Sequence, residues 1–200
     1  LGPYLPGLMS HKGASLGRAA SHFWITSEGV FGVALGVSTT FIFLFVLFGA
    51  LLEKAGAGNY FIQLASSLLG QFRGGPAKAA VVSSGMTGMI SGSSVANVVT
   101  TGTFTIPLMK RVGYSPTQSA AIECAAGVNG QLMPPVMGAA AFLMAEYVGI
   151  SYADVVRHAF LPAIITYGAL FYIVDIEAMK KSMTGLPRQR RRSLSQGLSL

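Results

Sequence analysis

Two hundred residues with a mean hydropathy of +0.56 and only 10% charged side chains make a chain far more apolar than a soluble domain, in which about 25% of residues are charged. Such a composition belongs to integral membrane proteins. The formal net charge of +7 does not point to nucleic acid, because six of the 14 basic residues (Lys180, Lys181, Arg188, Arg190, Arg191 and Arg192) gather near the end of the chain with no aromatic platform or groove-reading element beside them. The single cysteine, Cys124, rules out a disulfide framework or a cysteine-type metal cluster and reads as a small packed hydrophobe.

In chain order, residues 1–32 read as an extracytoplasmic or interfacial lead-in. They lack the charged-then-apolar order of a signal peptide and an initiator Met, so the chain is expected to be a piece of a longer one. Residues 33–53 form an apolar run long enough to cross a bilayer. Residues 58–72 alternate at helical spacing: Phe61, Leu64, Ala65, Leu68, Leu69 and Phe72 on one face, Asn59, Gln63, Ser66, Ser67 and Gln71 on the other. Their length, about 21 Å as a helix, suits an arm lying in the membrane interface better than a span.

The turn Gly74-Gly75-Pro76 opens a helix with proline in its first turn. Its apolar part runs for about a dozen residues before meeting Ser91-Gly92-Ser93-Ser94, and a second half runs on to Pro107, Lys110 and Arg111. Neither half is long enough to span. Basic residues flank both outer ends (Arg73 and Lys78, then Lys110 and Arg111), which places both on the cytoplasmic side. Residues 75–110 are therefore expected to form a re-entrant hairpin with its tip inside the membrane. The Val/Thr-rich second half reads as helix, since a lone strand in lipid would leave its backbone unpaired, and Ser93 or Ser94 is its natural N-cap.

Residues 115–149 would cross the membrane if unbroken, but the break lies at "GVNGQLMPPVMG". Pro134 and Pro135 donate no backbone hydrogen bonds, and Pro135 pushes Pro134 out of the helical region. The carbonyls of Gly130 and Gln131, four residues upstream, lose their helical partners, and Gly127 and Gly130 let the backbone unwind. A new helix is expected to start near Val136. Residues 155–175 cross back, and residues 176–200 form a basic, cytoplasmic, disordered tail.

Unwound backbone at membrane depth survives only when it is buried in protein or lines a polar cavity. Freed carbonyls, with hydroxyls from Ser91, Ser93 or Ser94 and the Asn97 amide, are hard oxygen ligands for a small cation. The helix N-termini suit an anion such as a carboxylate. A hairpin tip facing a broken helix is the binding-site arrangement of a secondary transporter. Among ionisable groups, Glu123 faces water or a basic residue of another helix, Glu146 and Asp154 are solvated near the outer surface, and His158 is interfacial rather than a proton carrier.

The stretches "FRGGPAKAAVV", "ISGSSVANVVTTGTFTIPLMKRVGY" and "GQLMPPVMGAAAFLMAE" closely resemble the large membrane subunit (DctM-like) of tripartite ATP-independent periplasmic transporters, nearest to the fused permeases that work with TAXI-type binding proteins. The resemblance covers roughly residues 1–175. It implies an all-α integral membrane protein of the bacterial inner membrane: one half of an inverted-repeat, elevator-type transporter with a re-entrant hairpin and a broken transmembrane helix. It further implies coupling to a cation gradient, usually Na+, and a small organic acid delivered by a periplasmic binding protein. The expected partners are that binding protein, a small permease subunit or fused region, the second half of the permease, and lipid, with no nucleic acid. By the match, the break faces the hairpin tip. Ser91, Gly92, Ser93, Asn97, Gly127 and Gly130 would then hold the cation, and Ser94, Asn97, Asn129, Gln131, Pro134 and Pro135 the substrate. No cofactor beyond the coupling ion and no enzymatic activity are implied.

Three other classes compete. A channel uses a similar hairpin as a selectivity filter. An intramembrane serine protease needs a base beside Ser93, and His158 is the only candidate within the apolar region. A truncated remnant would keep the site without transporting, since no second Ser-Gly-Ser tip or second broken helix follows in these residues.

Overall fold

A computed structural model describes residues 4, 6–9 and 12–183, and every regular element among them is helical. The expected tail beyond residue 183 lies outside the described residues. The chain divides into two units, Leu1–Phe43 and Leu44–Leu200.

The first unit contains a 3-10 turn at Gly7–Met9, α1 (Leu16–Ile25), capped by the Ser15 hydroxyl accepting from Arg18 N, and α2 (Val33–Val37). A π-helical turn follows at Ser38–Ile42. Here the Thr40 hydroxyl donates to Gly36 O at 2.8 Å and Thr39 donates to Leu35 O at 3.0 Å. Back-bonding of this kind loosens a helical ladder. The helical stretch Val33–Lys54, which ends with α3 (Phe43–Lys54), is one of two among the described residues that are long and apolar enough to cross a membrane; the other is Tyr152–Lys180.

In the second unit, α4 (Ala57–Leu69) packs along α5 (Gly75–Ser91). It buries Gly58, Ala65 and Ser66 while leaving Leu68 exposed. The contact is thus made by small residues, which let helices approach closely, rather than by the large apolar side chains that the periodicity emphasised. α5 joins α6 (Ser94–Arg111) through Gly92 and Ser93 alone. Gly92 has φ +60° and closes α5 as a left-handed cap. The two helices pair along their lengths, and a Cβ on Gly74, just before α5, would come within 2.8 Å of the Tyr114 hydroxyl, just past α6. Both outer ends of the pair therefore lie together. At 17 and 18 residues the helices reach about 26 and 27 Å, longer than the dozen residues read from hydropathy, because Ser83, Ser84 and Thr87 stay helical within α5.

α7 (Pro116–Asn129) opens with a capping box between Ser115 and Gln118 and runs into a 3-10 turn at Gly130–Leu132. The chain then leaves helix until α8 (Ala139–Val148), three residues later than the expected restart at Val136. Cys124 is exposed on α7, contrary to the expected packed hydrophobe, while its neighbour Glu123 is fully buried. α9 (Tyr152–Lys180) runs back along the bundle and stays helical past residue 175. Its far end meets the start of α5: Asp175 pairs with Arg73 at 2.9 Å and with Lys78 at 2.6 Å, and Lys78 lies over the Phe171 ring. A core of Ala77, Ala80, Val81, Met109, Tyr114, Ala126, Val174 and Ala178 fills that end. Burial and the neighbouring carboxylates Glu177 and Asp175 push the Tyr114 phenol up to about 12. The outward faces of α3 (Phe43, Leu44, Leu47, Leu51) and α9 (Phe160, Leu161, Ile164, Ile165) remain exposed and apolar.

Candidate functional site: the α5–α6 turn against the helix break

Three glycines bring the break onto the α5–α6 pair. A Cβ on Gly88 of α5 would sit 2.5 Å from the Gly130 Cα, and one on Gly130 would sit 2.5 Å from the Asn97 side-chain nitrogen. A Cβ on Gly127 would collide with the Val98 side chain of α6. The backbone of the break thus lies directly on α5 and α6. Gly127 remains within helical α7, so its service is close packing rather than the unwinding expected of it. At the turn itself, a Cβ on Gly92 would collide with the Met137 carbonyl, which joins the α5–α6 connection to the extended segment of the break.

At the centre sits Asn97, with no exposed surface. Its amide nitrogen donates to Ser84 O at 2.9 Å, and its Oδ1 has no partner. Ser84 Oγ, Thr87 Oγ1 and Ser91 Oγ are likewise buried without partners among the described residues. These three residues fall at helical spacings on one stripe of α5. An unsatisfied buried polar atom costs about 1–3 kcal/mol, so four of them along α5 and the start of α6 mark places that packing alone does not explain. Oxygen-only ligand sets of this kind suit hard cations.

The remaining candidates divide. Ser93 caps α6, its hydroxyl accepting from Ala96 N at 3.3 Å, and it is exposed. Ser94 opens α6, half-buried. Ser91 lines a small cavity with Thr87, Thr100 and Glu53, toward α3 and α4. Pro134 is buried, Pro135 and Gln131 are exposed, and Asn129 is half-buried. The carbonyls expected to be freed find local donors: Gly130 O accepts from Met133 N at 3.1 Å and Gln131 O from Gly138 N at 2.8 Å. The break is therefore a closed turn, with the Pro134-Pro135 peptide cis, rather than a run of vacant carbonyls.

Two tyrosines of α9 hold it from behind. Tyr167 donates to Ala126 O at 2.8 Å, and Tyr152 reaches Pro135 O at 2.8 Å and Val136 O at 2.6 Å while stacking on Phe142. Sequence reading passed over both, and over Ser84, Thr87 and Gly88. The three-and-seven spacing of Ser84, Thr87 and Ser91 in an apolar helix is the pattern that marks the two hydroxyls, and no local pattern marks the tyrosines or Gly88.

A second polar cluster lies between α6 and α7. Both carboxylate oxygens of Glu123 are hydrogen-bonded, Oε1 to the Thr101 hydroxyl and Oε2 to the Thr105 hydroxyl, with all three residues buried. The expectation that Glu123 meets water or a basic residue is corrected: its partners are two neutral hydroxyls one turn apart on α6. Asp154 and Arg157 form an exposed pair at 3.5 Å, and His158 Nδ1 lies 2.7 Å from Asp154 O, also exposed.

Residues 13–199 match the family described as tripartite ATP-independent periplasmic transporter, DctM component. The C4-dicarboxylate TRAP transporter large permease protein DctM of Pseudomonas aeruginosa is 31% identical over 144 residues, covering 72% of this chain and 33% of that protein. The protein of the same name from Vibrio cholerae is 34% identical over 128 residues, 64% of this chain and 27% of its own length. The isethionate TRAP transporter permease protein DctMQ of Oleidesulfovibrio alaskensis is 37% identical over 91 residues, 46% of this chain and 14% of its length. The chain spans about a third of the length of the first curated relatives it matches.

Proposed function

Because the chain belongs to the DctM component family of tripartite ATP-independent periplasmic transporters, integral membrane permeases rather than enzymes, we propose that it supplies one hairpin-and-broken-helix half of a cation-coupled uptake system. In this reading α5 and α6 enter from the cytoplasmic side as a re-entrant hairpin, α7 and α8 form the broken crossing, and α9 returns. The supporting observation is the gathering of Arg73, Lys78 and Lys180 at the ends of the helices opposite the α5–α6 turn, the charge bias of a cytoplasmic face. The tip and the break, locked together through Gly88 and Gly130, would move as one body in an elevator-type cycle.

The coupling ion is sodium, held by Asn97 Oδ1 with Ser84 and backbone oxygens around Gly127 and Gly130. The substrate is a small organic acid, met by Ser94, Asn129, Gln131, Pro134, Pro135 and the N-terminus of α8, whose dipole favours an anion. The printed names of the relatives, C4-dicarboxylate and isethionate, support an organic anion. A periplasmic binding protein of TAXI type, a small subunit or fused region, and a second inverted half complete the system in a bacterial inner membrane.

The observation that carries this reading is the unpartnered Oδ1 of fully buried Asn97 against Gly130. Its test is uptake by the complete permease, reconstituted in vesicles and driven by a sodium gradient. Asn97→Ala is expected to raise the sodium concentration for half-maximal uptake about tenfold, the equivalent of about 1.4 kcal/mol, whereas Ser93→Ala, which removes a cap, lowers stability without moving that midpoint. An unchanged sodium midpoint in Asn97→Ala overturns the assignment.

A further inference from the structure

Away from the break, α3, α4, α5 and α6 of the second unit line a small, partly open cavity of about 20 Å³. That is room for one water molecule or one bare ion, given that about 10–15 Å³ suffices for a water. α3 reaches it by close approach: a Cβ on Gly49 would lie 2.9 Å from Ile90 O at the end of α5. The polar groups on its wall are Glu53, Thr87, Ser91 and Thr100. The Thr100 hydroxyl donates to Glu53 Oε1 at 2.6 Å. Thr87, only 8% exposed, and Ser91 each present a buried hydroxyl with no hydrogen-bond partner. The Glu53 carboxylate, exposed at the end of α3, makes no ion pair and no further hydrogen bond among the described residues.

We propose that this cavity is a site for a small monovalent cation such as sodium, separate from the Asn97 contact. Every donor to it is oxygen, which selects hard cations over soft ones. Two of the hydroxyls have no other use in the fold. A water would satisfy them too, but Glu53, exposed in the last turn of α3 where it borders the cavity, brings a negative charge that makes no ion pair among the described residues, and that charge favours a cation over a neutral water. One carboxylate with neutral hydroxyls balances one positive charge; a divalent ion would leave an excess that no other acidic residue on this wall takes up. The volume is too small for an organic cation. An occupant would join the ends of α3 and α4 to the hairpin of α5 and α6, so its binding would stiffen that junction.

This inference does not depend on the transport reading. The test is equilibrium binding of radioactive sodium to the full chain in lipid nanodiscs, with choline chloride holding ionic strength constant, in wild type and in Glu53→Gln, Thr87→Val, Thr87→Ser and Asn97→Ala. Glu53→Gln and Thr87→Val are each expected to lose one equivalent of bound sodium, or to weaken it about tenfold, while Thr87→Ser, which keeps the hydroxyl, retains it. Asn97→Ala is expected to lose a different equivalent and to leave this one intact. If Glu53→Gln and Thr87→Val, with unchanged circular dichroism, bind sodium as the wild type does, the cavity holds water and the proposal falls, even where Asn97→Ala shows loss. If only the Glu53 and Thr87 variants lose sodium, the proposal stands and the Asn97 assignment falls.

Discussion

α6 carries two buried polar clusters that are chemically alike and end in opposite states. Toward α7, Thr101 and Thr105 close on Glu123, so that both carboxylate oxygens are bonded, and each hydroxyl also lies within bonding distance of the carbonyl one turn back, 2.8 Å to Asn97 O and 2.9 Å to Thr101 O. Toward α5, Asn97 bonds Ser84 O with its nitrogen but leaves its oxygen unpartnered, with the hydroxyls of Ser84, Thr87 and Ser91 in the same condition. Asn97 is the first residue of one chain of bonds and an unfinished member of the other. A cluster that satisfies itself holds helices together. One that leaves oxygens open, while glycines keep the backbone close around it, is set up to accept something from outside.

The comparison can be broken most sharply at the glycines. Gly130→Ala and Gly88→Ala each drive a methyl into backbone or into the Asn97 amide, and overpacking of this kind costs about 1–3 kcal/mol. The expected result is the largest loss of thermal stability in detergent of any single change on α5 to α8. A melting temperature within a degree of wild type would show that the break does not rest on α5. Next comes Glu123→Ala, which strands two hydroxyls and leaves a cavity, with an expected cost of about 2 kcal/mol, whereas Glu123→Gln keeps the shape and most of the bonding and costs less than half as much. Equal effects from Ala and Gln would deny that both oxygens matter.

Thr101→Val is expected to cost about 1 kcal/mol in the same chemical or thermal unfolding assay. Tyr167→Phe, which removes only the bond to Ala126 O, should fall near 0.6 kcal/mol, the average for single interhelical hydrogen bonds in membranes. Asn97→Ala should be the mildest in stability, because the residue donates a single bond and its oxygen has no partner to lose, and yet the strongest in sodium response. If Asn97→Ala destabilises as much as Glu123→Ala, the open cluster is structural after all.

Much of the fold was legible in the sequence because it rests on residues that act locally. Proline and glycine punctuation set the start of α5 at Gly75, the turn at Gly92 and the end of helical backbone before Pro134. Ser93 caps α6 as its residue type predicts. The apolar stretches at Val33–Lys54 and Tyr152–Lys180 were visible as hydropathy alone. The placement of the candidate residues was legible in part: Gly130 lies against Asn97, and Gly127 lies against Val98 and Ser94 of the same helix, since a polar residue in an apolar helix and a glycine at a break both advertise themselves. What escaped was direction. Glu123 and Cys124 are neighbours, and composition would bury the cysteine and expose the acid, yet α7 turns the acid inward to two threonines.

The sequence by itself determined where helices begin and stop and which segments are too apolar for water, because capping, proline geometry and hydropathy depend on residues within one or two turns of each other. Only the tertiary structure decided which hydroxyls are paired. Ser84, Thr87, Ser91, Thr101 and Thr105 are ordinary helix residues of similar polarity. Two of them meet a carboxylate from α7, and the hydroxyls of the other three have no partner among the described residues. That difference comes from which helix packs opposite each residue, and no local pattern of side chains encodes it.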